Sequence, residues 1–352
     1  MLEQRLAGLW YGRSALAALL QPLAALYGAG LRARRSAYAH GLLHTGRAGV
    51  PVVVIGNLTV GGTGKTPLTL WLAERLREHG VRPGILSRGY TRAGSARSPL
   101  RVYADSPWRE VGDEPKLLAR RSDCPTVVAR ERLAGARELA AHGVPLILAD
   151  DGLQHLALAR DLEIVVVDGA RGLGNGRLLP AGPLRERPGR LARAALVVVN
   201  GEPVHPTLAG AALGAAPLRM QLVGSEARAL RGSAVWSLQA FRGAPVHAVA
   251  GIGHPARFFA MLRAHGLEII EHAYPDHHDF RPADLAFGDG RPVLMTEKDA
   301  IRCEELALRA GTLWYVPVTA ELCAQDATRL LAPVLALLPG RAAAVPLTAA
   351  PR

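Results

Sequence analysis

Residues 51–67 read PVVVIGNLTVGGTGKTP, an aliphatic run that opens into Gly61, Gly62 and Gly64 and closes on Lys65-Thr66. A buried strand feeding a glycine-rich turn and then a helix is the pattern of a phosphate-binding loop. The glycines let backbone N–H groups converge on phosphate oxygens, and the helix N-terminus adds a favourable field. In that pattern the lysine reaches the β- and γ-phosphates of a nucleotide and the following hydroxyl holds Mg²⁺, which assigns those roles to Lys65 and Thr66. The consensus asks for glycine six residues before the lysine, and Thr59 stands there instead. The strand–loop–helix setting and the later glycines outweigh that departure. The expected nucleotide contacts therefore run through Thr59, Gly61, Gly62, Thr63, Gly64, Lys65 and Thr66.

The rest of the chain supports the same architecture. Short aliphatic runs at 52–55, 84–87, 126–129, 146–149, 164–167 and 196–199 are too continuous for a sheet with one wet face. Amphipathic stretches such as 66–79 and 131–142 lie between them, each followed by glycine. This alternation predicts an α/β fold, a P-loop NTPase-like parallel sheet flanked by helices. A second set begins near Arg231, with strands at 246–250, 267–272 and 292–296 and helices at 255–265 and 326–338, which predicts a second, smaller α/β domain. The expected division is an N-terminal membrane-associating segment over 1–45, a nucleotide-binding domain over 46–230, the smaller domain over 231–339, and a flexible Ala/Pro-rich tail over 340–352.

Composition narrows the function. With 49% hydrophobic and 20% charged residues, a disordered or fibrous chain is excluded. A net charge of +12 predicts attraction to an anionic partner such as a nucleotide, a nucleic acid or an acidic membrane surface. Aromatic residues make up only 5%, and zinc-finger spacings and basic zippers are missing, so no nucleic acid is expected as partner. Cys124, Cys303 and Cys323 show no paired short spacing, which argues against a disulfide framework and for a reducing compartment. Residues 14–31 carry no charge and are flanked by Arg13, Arg32, Arg34 and Arg35. Gln21-Pro22 in the middle and the many alanines favour an interfacial helix over a span, with a plain core helix as the alternative. The arginines suit anionic headgroups.

A P-loop needs a carboxylate at a neighbouring strand end to orient the magnesium shell, and Asp150-Asp151 follow the apolar run 145–149. Asp168, which ends EIVVVD, is a weaker candidate. Gln154 and His155 either meet a phosphate or cap the turn. The guanine-reading Asn-Lys-x-Asp element is missing, since Asn200 leads into Gly201-Glu202. These residues alone leave open a kinase and a membrane-associated regulatory NTPase.

Seven further segments narrow the choice: ILSRGYTR (85–92), VGDEPKLLAR (111–120), ILADDGLQH (147–155), LLPAGPLRE (178–186), AGIGHPARFF (250–259), PDHHDF (275–280) and LMTEKDAIRC (294–303). In this order and spacing the chain closely resembles the tetraacyldisaccharide 4′-kinase family of lipid A biosynthesis, from the N-terminal apolar segment to about residue 330. The resemblance implies a Mg-ATP-dependent lipid kinase that moves the γ-phosphoryl of ATP to the 4′-hydroxyl of an acylated glucosamine disaccharide 1-phosphate. It also implies work at the cytoplasmic face of the bacterial inner membrane, peripheral or monotopic, in the cleft between two domains, and it gives no sign of an obligate protein partner. By motif it implies Asp113 as base, with His277 orienting and supporting it. His278 is an alternative imidazole, and a metal held by residues 276–279 is a further reading. Arg185 and Glu186 match a family position near nucleotide and magnesium, so the expected metal set is Thr66, Asp150, Asp151 and Glu186, with Arg185 stabilising the transferred charge. Arg88 and Tyr90, on the same sheet edge, are expected at the substrate together with Gln154 and His155. Lys298 is expected in a structural or nucleotide-side role.

Overall fold

The computed structural model describes residues 8–12, 16–89, 99–209, 216–306 and 312–338. The tail expected over 340–352 and Tyr90 lie outside the described residues. Two sheets organise the chain. The first has the order β15-β8-β7-β6-β1-β5-β2-β4-β3. Its strands are β1 (Val52–Gly56), β2 (Gly84–Ser87), β3 (Leu100–Val102), β4 (Thr126–Val128), β5 (Ile147–Asp150), β6 (Leu162–Asp168), β7 (Leu196–Asn200), β8 (Leu218–Val223) and β15 (Thr319–Glu321). All pairings are parallel except the two edges, β3 with β4 and β15 with β8.

Strand alternation divides the core. Val53 and Ile55 point into one cluster with Leu68, Leu72 and Leu76, while Val52 and Val54 point into the other with Ala136 and Leu139. The three leucines recur every four residues along the helix Lys65–Glu78, so they form one face. Helices therefore cover both faces of a sheet whose central strands are apolar throughout, as the uninterrupted Val/Ile/Leu runs require.

The second sheet has the order β10-β9-β14-β13-β11-β12, with β9 (Glu226–Ala229), β10 (Val235–Ser237), β11 (Val246–Ala250), β12 (Ile269–Ala273), β13 (Val293–Thr296) and β14 (Leu313–Val316). It begins at Glu226, ahead of the boundary expected near Arg231. The segment after it crosses back: β15 joins β8, and the helix Ala324–Leu335 buries Leu330, Val334 and Leu335 in the same cluster as Leu68 and Leu72. Residues 319–338, expected in the smaller domain, thus belong to the first sheet's layer. The reason is the apolar stripe of that helix, which finds its matching surface on the helix Lys65–Glu78 and β8.

Seven helices matter below: α1 (Gln21–Ala39), α2 (Lys65–Glu78), α3 (Asp113–Ser122), α4 (Arg132–Ala141), α5 (Pro255–Ala264), α6 (Glu297–Cys303) and α7 (Ala324–Leu335). Among the described residues no helix is long and apolar enough to cross a membrane. α1 is held to the body by the Tyr27 hydroxyl, which donates to the Arg185 carbonyl at 3.1 Å, and by an Arg35–Glu186 ion pair. Leu16, Leu19, Leu23 and Leu26 remain exposed.

Candidate active site

The carboxyl ends of both sheets converge on one cavity of about 420 Å³. In an open parallel sheet this edge is where loops are free to carry polar groups, because the strands behind them are fully buried. The glycine turn leaves β1 here. Gly61 and Gly64 have φ of 105° and 100°, which only glycine adopts without strain. A Cβ on Gly64 would lie 2.6 Å from the Asn200 amide nitrogen, which donates to the Thr63 carbonyl at 2.9 Å. From the other side Asn57 donates to the carbonyls of Thr59 (2.8 Å) and Gly61 (3.3 Å), and its Oδ1 accepts from Lys65 Nζ at 3.1 Å. Sequence reasoning passed over both asparagines. Their signal was the side-chain amide at the end of an apolar strand, where nothing apolar belongs. The buried Thr63 Oγ1 has no hydrogen-bond partner, an orphaned group in the middle of the glycine turn. A phosphate oxygen fits that arrangement.

Asp150 sits beside Ile55 in the sheet register, at the mouth of β1. Burial, with Glu114 and Asp151 nearby, pushes its carboxyl up to about 7 against the pull of Lys65 and Arg132. Asp151 behaves oppositely: burial raises it, but Lys65 (3.6 Å) and Arg185 (3.2 Å) hold it at about 2. Its φ of 49° is a left-handed conformation that costs a non-glycine residue about 1–2 kcal/mol. Two carboxylates and the Thr66 hydroxyl suit Mg²⁺, which takes one or two protein carboxylates plus phosphates and water. A cation there would also offset the burial of Asp150. Among the described residues no group of three or more His, Cys, Asp or Glu side chains converges as a metal site.

Arg185 lines the cavity because the 184–185 segment runs antiparallel to the loop entry, with Leu184 bridging Thr59 and Arg185 N–H donating to Leu58. Glu186 does not join it. Its carboxylate is buried, raised by that burial and held by Arg35 and Arg190 under α1, and it is not part of the cavity wall. Adjacent residues of an extended segment face opposite ways, so Arg185 and Glu186 cannot both face the nucleotide side. Asp168 accepts from the N–H groups of Ala170 and Arg171 and from Arg257 at 2.7 Å, tying β6 to α5.

Asp113 and His277 meet across the two sheets, with His277 Nδ1 3.2 Å from Asp113 Oδ2. Asp113 is 5% exposed at the start of α3. Its Oδ1 accepts its neighbour Glu114 N–H, and Oδ2 also accepts Arg302 Nε at 2.7 Å and Arg302 Nη2. Burial would raise this carboxyl, but Lys298, His277 and Arg302 hold it far below the usual carboxylate range. His277 is raised, chiefly by its hydrogen bond to Asp113. Its side chain is 43% exposed, its φ is 59°, and it lines the cavity whereas Asp113 does not. The imidazole thus stands at the cavity wall and the carboxylate behind it. The rest of the 276–279 cluster disperses: His278 pairs with Asp284 at 3.0 Å and Asp279 with Arg109 at 2.9 Å. Lys298 lines the cavity and pairs with Glu114 at 2.8 Å.

Arg88, Gln154 and His155 lie outside the cavity lining. Arg88 is exposed, Gln154 Nε2 is buried without a hydrogen-bond partner, and His155 is lowered to about 4 by burial, then by Arg132 and Arg88. Arg34 of α1 also acts on His155, which places this rim next to α1.

A family model described as tetraacyldisaccharide-1-P 4′-kinase (LpxK) matches residues 16–336. A tetraacyldisaccharide 4′-kinase of Nitrosococcus oceani is 48% identical over 324 residues, covering 92% of each chain, and one of Alkalilimnicola ehrlichii is 51% identical over 302 residues, covering 86% of this chain and 87% of its own. A crystal structure of LpxK from Aquifex aeolicus, described as in complex with ATP, superposes with a TM-score of 0.72 at 28% identity and covers 92% of this chain and 99% of its own. The protein is a kinase on a largely parallel α/β scaffold. It belongs to the tetraacyldisaccharide-1-P 4′-kinase family of lipid A synthesis.

Proposed function

We propose that the protein transfers the γ-phosphoryl of ATP to the 4′-hydroxyl of an acylated glucosamine disaccharide 1-phosphate. The observation that carries this reading is that the glycine turn with Lys65 and the imidazole of His277 border the same cavity. The apolar side chains of Leu222, Ile252, Phe258, Met261, Val316 and Val318 suit a nucleotide base at the opposite end. The turn amides, Thr63 and Lys65 bind the triphosphate, and Arg185 stabilises charge on the transferring group. Thr66 with Asp150 and Asp151 would hold Mg²⁺, which supplies charge neutralisation at the β- and γ-phosphates.

With Nδ1–H donated to Asp113, His277 keeps Nε2 as an acceptor on the cavity side. In the transfer step the acceptor O4′ forms a bond to Pγ as the Pγ–O bond to ADP breaks. The hydroxyl proton passes to His277 Nε2, and Asp113 supports the resulting imidazolium. The layers would part to release ADP and close to exclude water. Asp168–Arg257 on one side and α3–α6 on the other are the contacts such closure would use.

Leu16 and Leu19, just before α1, and Leu23 and Leu26 on α1 are exposed, and Arg32 and Arg34 follow on the same helix, a surface suited to an anionic leaflet. The Arg34–Arg88–His155 rim lies next to it, where the headgroup of a lipid acceptor would be met. Thin-layer analysis after incubation with γ-labelled ATP and detergent-dispersed acceptor tests the reading. Labelled lipid matching the ADP formed is the expected result. ADP without labelled lipid contradicts it.

A further inference from the structure

Arg302 is a guanidinium only 1% exposed, an expensive placement unless its donors are paired. Four of its five N–H groups are paired, across both layers. Nε and Nη2 donate to Asp113 Oδ2 on α3, and Nη1 donates to Asp299 Oδ1 (3.1 Å) and to the Gly251 carbonyl (3.0 Å). Asp299 is itself fixed by the Thr296 hydroxyl at 2.6 Å and the Gly251 N–H at 3.0 Å. Arg302 Nη2 also lies 3.4 Å from His277 Nδ1. A single fork thus joins the start of α3, the end of β11 and the imidazole that borders the cavity. The spacing is simple, because residues 299 and 302 are one turn apart on α6 and so face the same way.

We propose that Arg302 is a positioning residue for phosphoryl transfer: it pins Asp113 against the second sheet so that His277 is held with Nε2 toward the acceptor. This rests on the dyad reading above. A lysine at the same place keeps the charge but cannot reproduce the two donors that converge on Asp113 Oδ2 together with the Gly251 contact. Displacing Asp113 by even an ångström turns the imidazole, and such misplacement is what positioning residues prevent. The charged groups around the pair are Glu114 of α3, Lys298, Asp299 and Arg302 of α6, and Asp276 next to His277.

The test uses the full chain in detergent with ATP and acceptor. Arg302→Lys is expected to lower kcat about tenfold or more, with KM for ATP within about twofold of wild type. In an Asp113→Asn background the same substitution is expected to add no more than about twofold, because its route to the reaction is already broken. Arg302→Met, where it folds, removes a cation from beside the imidazole and moves the acid limb of the kcat profile to higher pH. Asp113→Asn moves that limb to lower pH. Should the methionine variant fail to fold, the lysine variant and the double variant decide. Wild-type kcat in Arg302→Lys, losses that multiply in the double variant, or ATP affinity and melting temperature falling in step with kcat would each overturn the proposal. Wild-type turnover in both Asp113→Asn and His277→Ala would instead sink the dyad reading, and Arg302's role with it.

Discussion

The glycine turn is built within one stretch of chain between β1 and α2, whereas the Asp113–His277–Arg302 cluster draws on residues 164 and 25 positions apart. The turn itself is local, fixed by glycine conformation and by Asn57, and one distant residue, Asn200 of β7, braces it from outside. The cluster exists only when the two layers are together. Its seam is also the most charged contact between them: Glu114–Lys298 at 2.8 Å, Lys116–Glu304 at 2.9 Å, Arg121–Glu297 at 3.0 Å, and the Arg302–Asp113 pair. In the proposed reading, nucleotide grip and acceptor activation are therefore expected to separate under mutation.

The largest expected effect breaks the first half alone. Lys65→Ala removes the lysine that Asn57 and Asp151 orient, and is expected to cut transfer by about 10³-fold and weaken ATP binding in parallel. Measured ATP affinity and turnover should fall together. Loss of turnover with intact ATP binding would show that the turn does not hold the phosphates.

Acidity sharpens the second half. His277 is raised above the ordinary histidine value of 6.5, mainly by Asp113, and must be neutral to take a proton. Activity is therefore expected to fall as pH drops through a value above 6.5. Asp113→Asn removes the main raising contact, so the limb should move to lower pH while the remaining rate drops. A kcat profile flat across that region would contradict the assignment of His277.

A smaller effect concerns α1. Leu23→Asp with Leu26→Asp is expected to reduce co-sedimentation with vesicles containing anionic lipid by about tenfold, while activity on detergent-dispersed acceptor stays near wild type. Unchanged sedimentation would remove α1 as the contact surface. The smallest is Glu304→Gln. Glutamine keeps an oxygen to accept from the buried Lys116 and loses charge mainly toward the partly exposed Arg120, so the melting stability should change by about 1 kcal/mol or less. A much larger loss would mean that the seam, not the dyad, dominates the coupling.

Legibility in the sequence followed the same divide. Strands β1, β2, β5, β6, β7, β11 and β13 were visible as continuous apolar runs, since strands buried on both faces need no polar residues. β8 and the edge strand β15 beside it were not, because β8 alternates buried and exposed positions and β15 is three residues long. Lys65 and its turn could be read from residue types alone. Asp113 and His277 emerged only through family motifs, because nothing local distinguishes a catalytic aspartate from a helix-starting one. Glu186 was misplaced because residue type does not tell which way an extended segment faces. Arg302 went unseen because one arginine among many carries no mark until its burial is known. The three lysines, by contrast, all found partners at the cavity or the seam: Lys65 with Asp151, Lys116 with Glu304, and Lys298 with Glu114.

His277→Ala offers the most direct check that this imidazole activates the acceptor in the cavity that binds ATP. Single-turnover transfer to the lipid acceptor should fall about 10²-fold or more, with ATP affinity, measured by equilibrium titration, within about twofold of wild type. Transfer at the wild-type rate, or an equal loss of ATP affinity, would contradict the account.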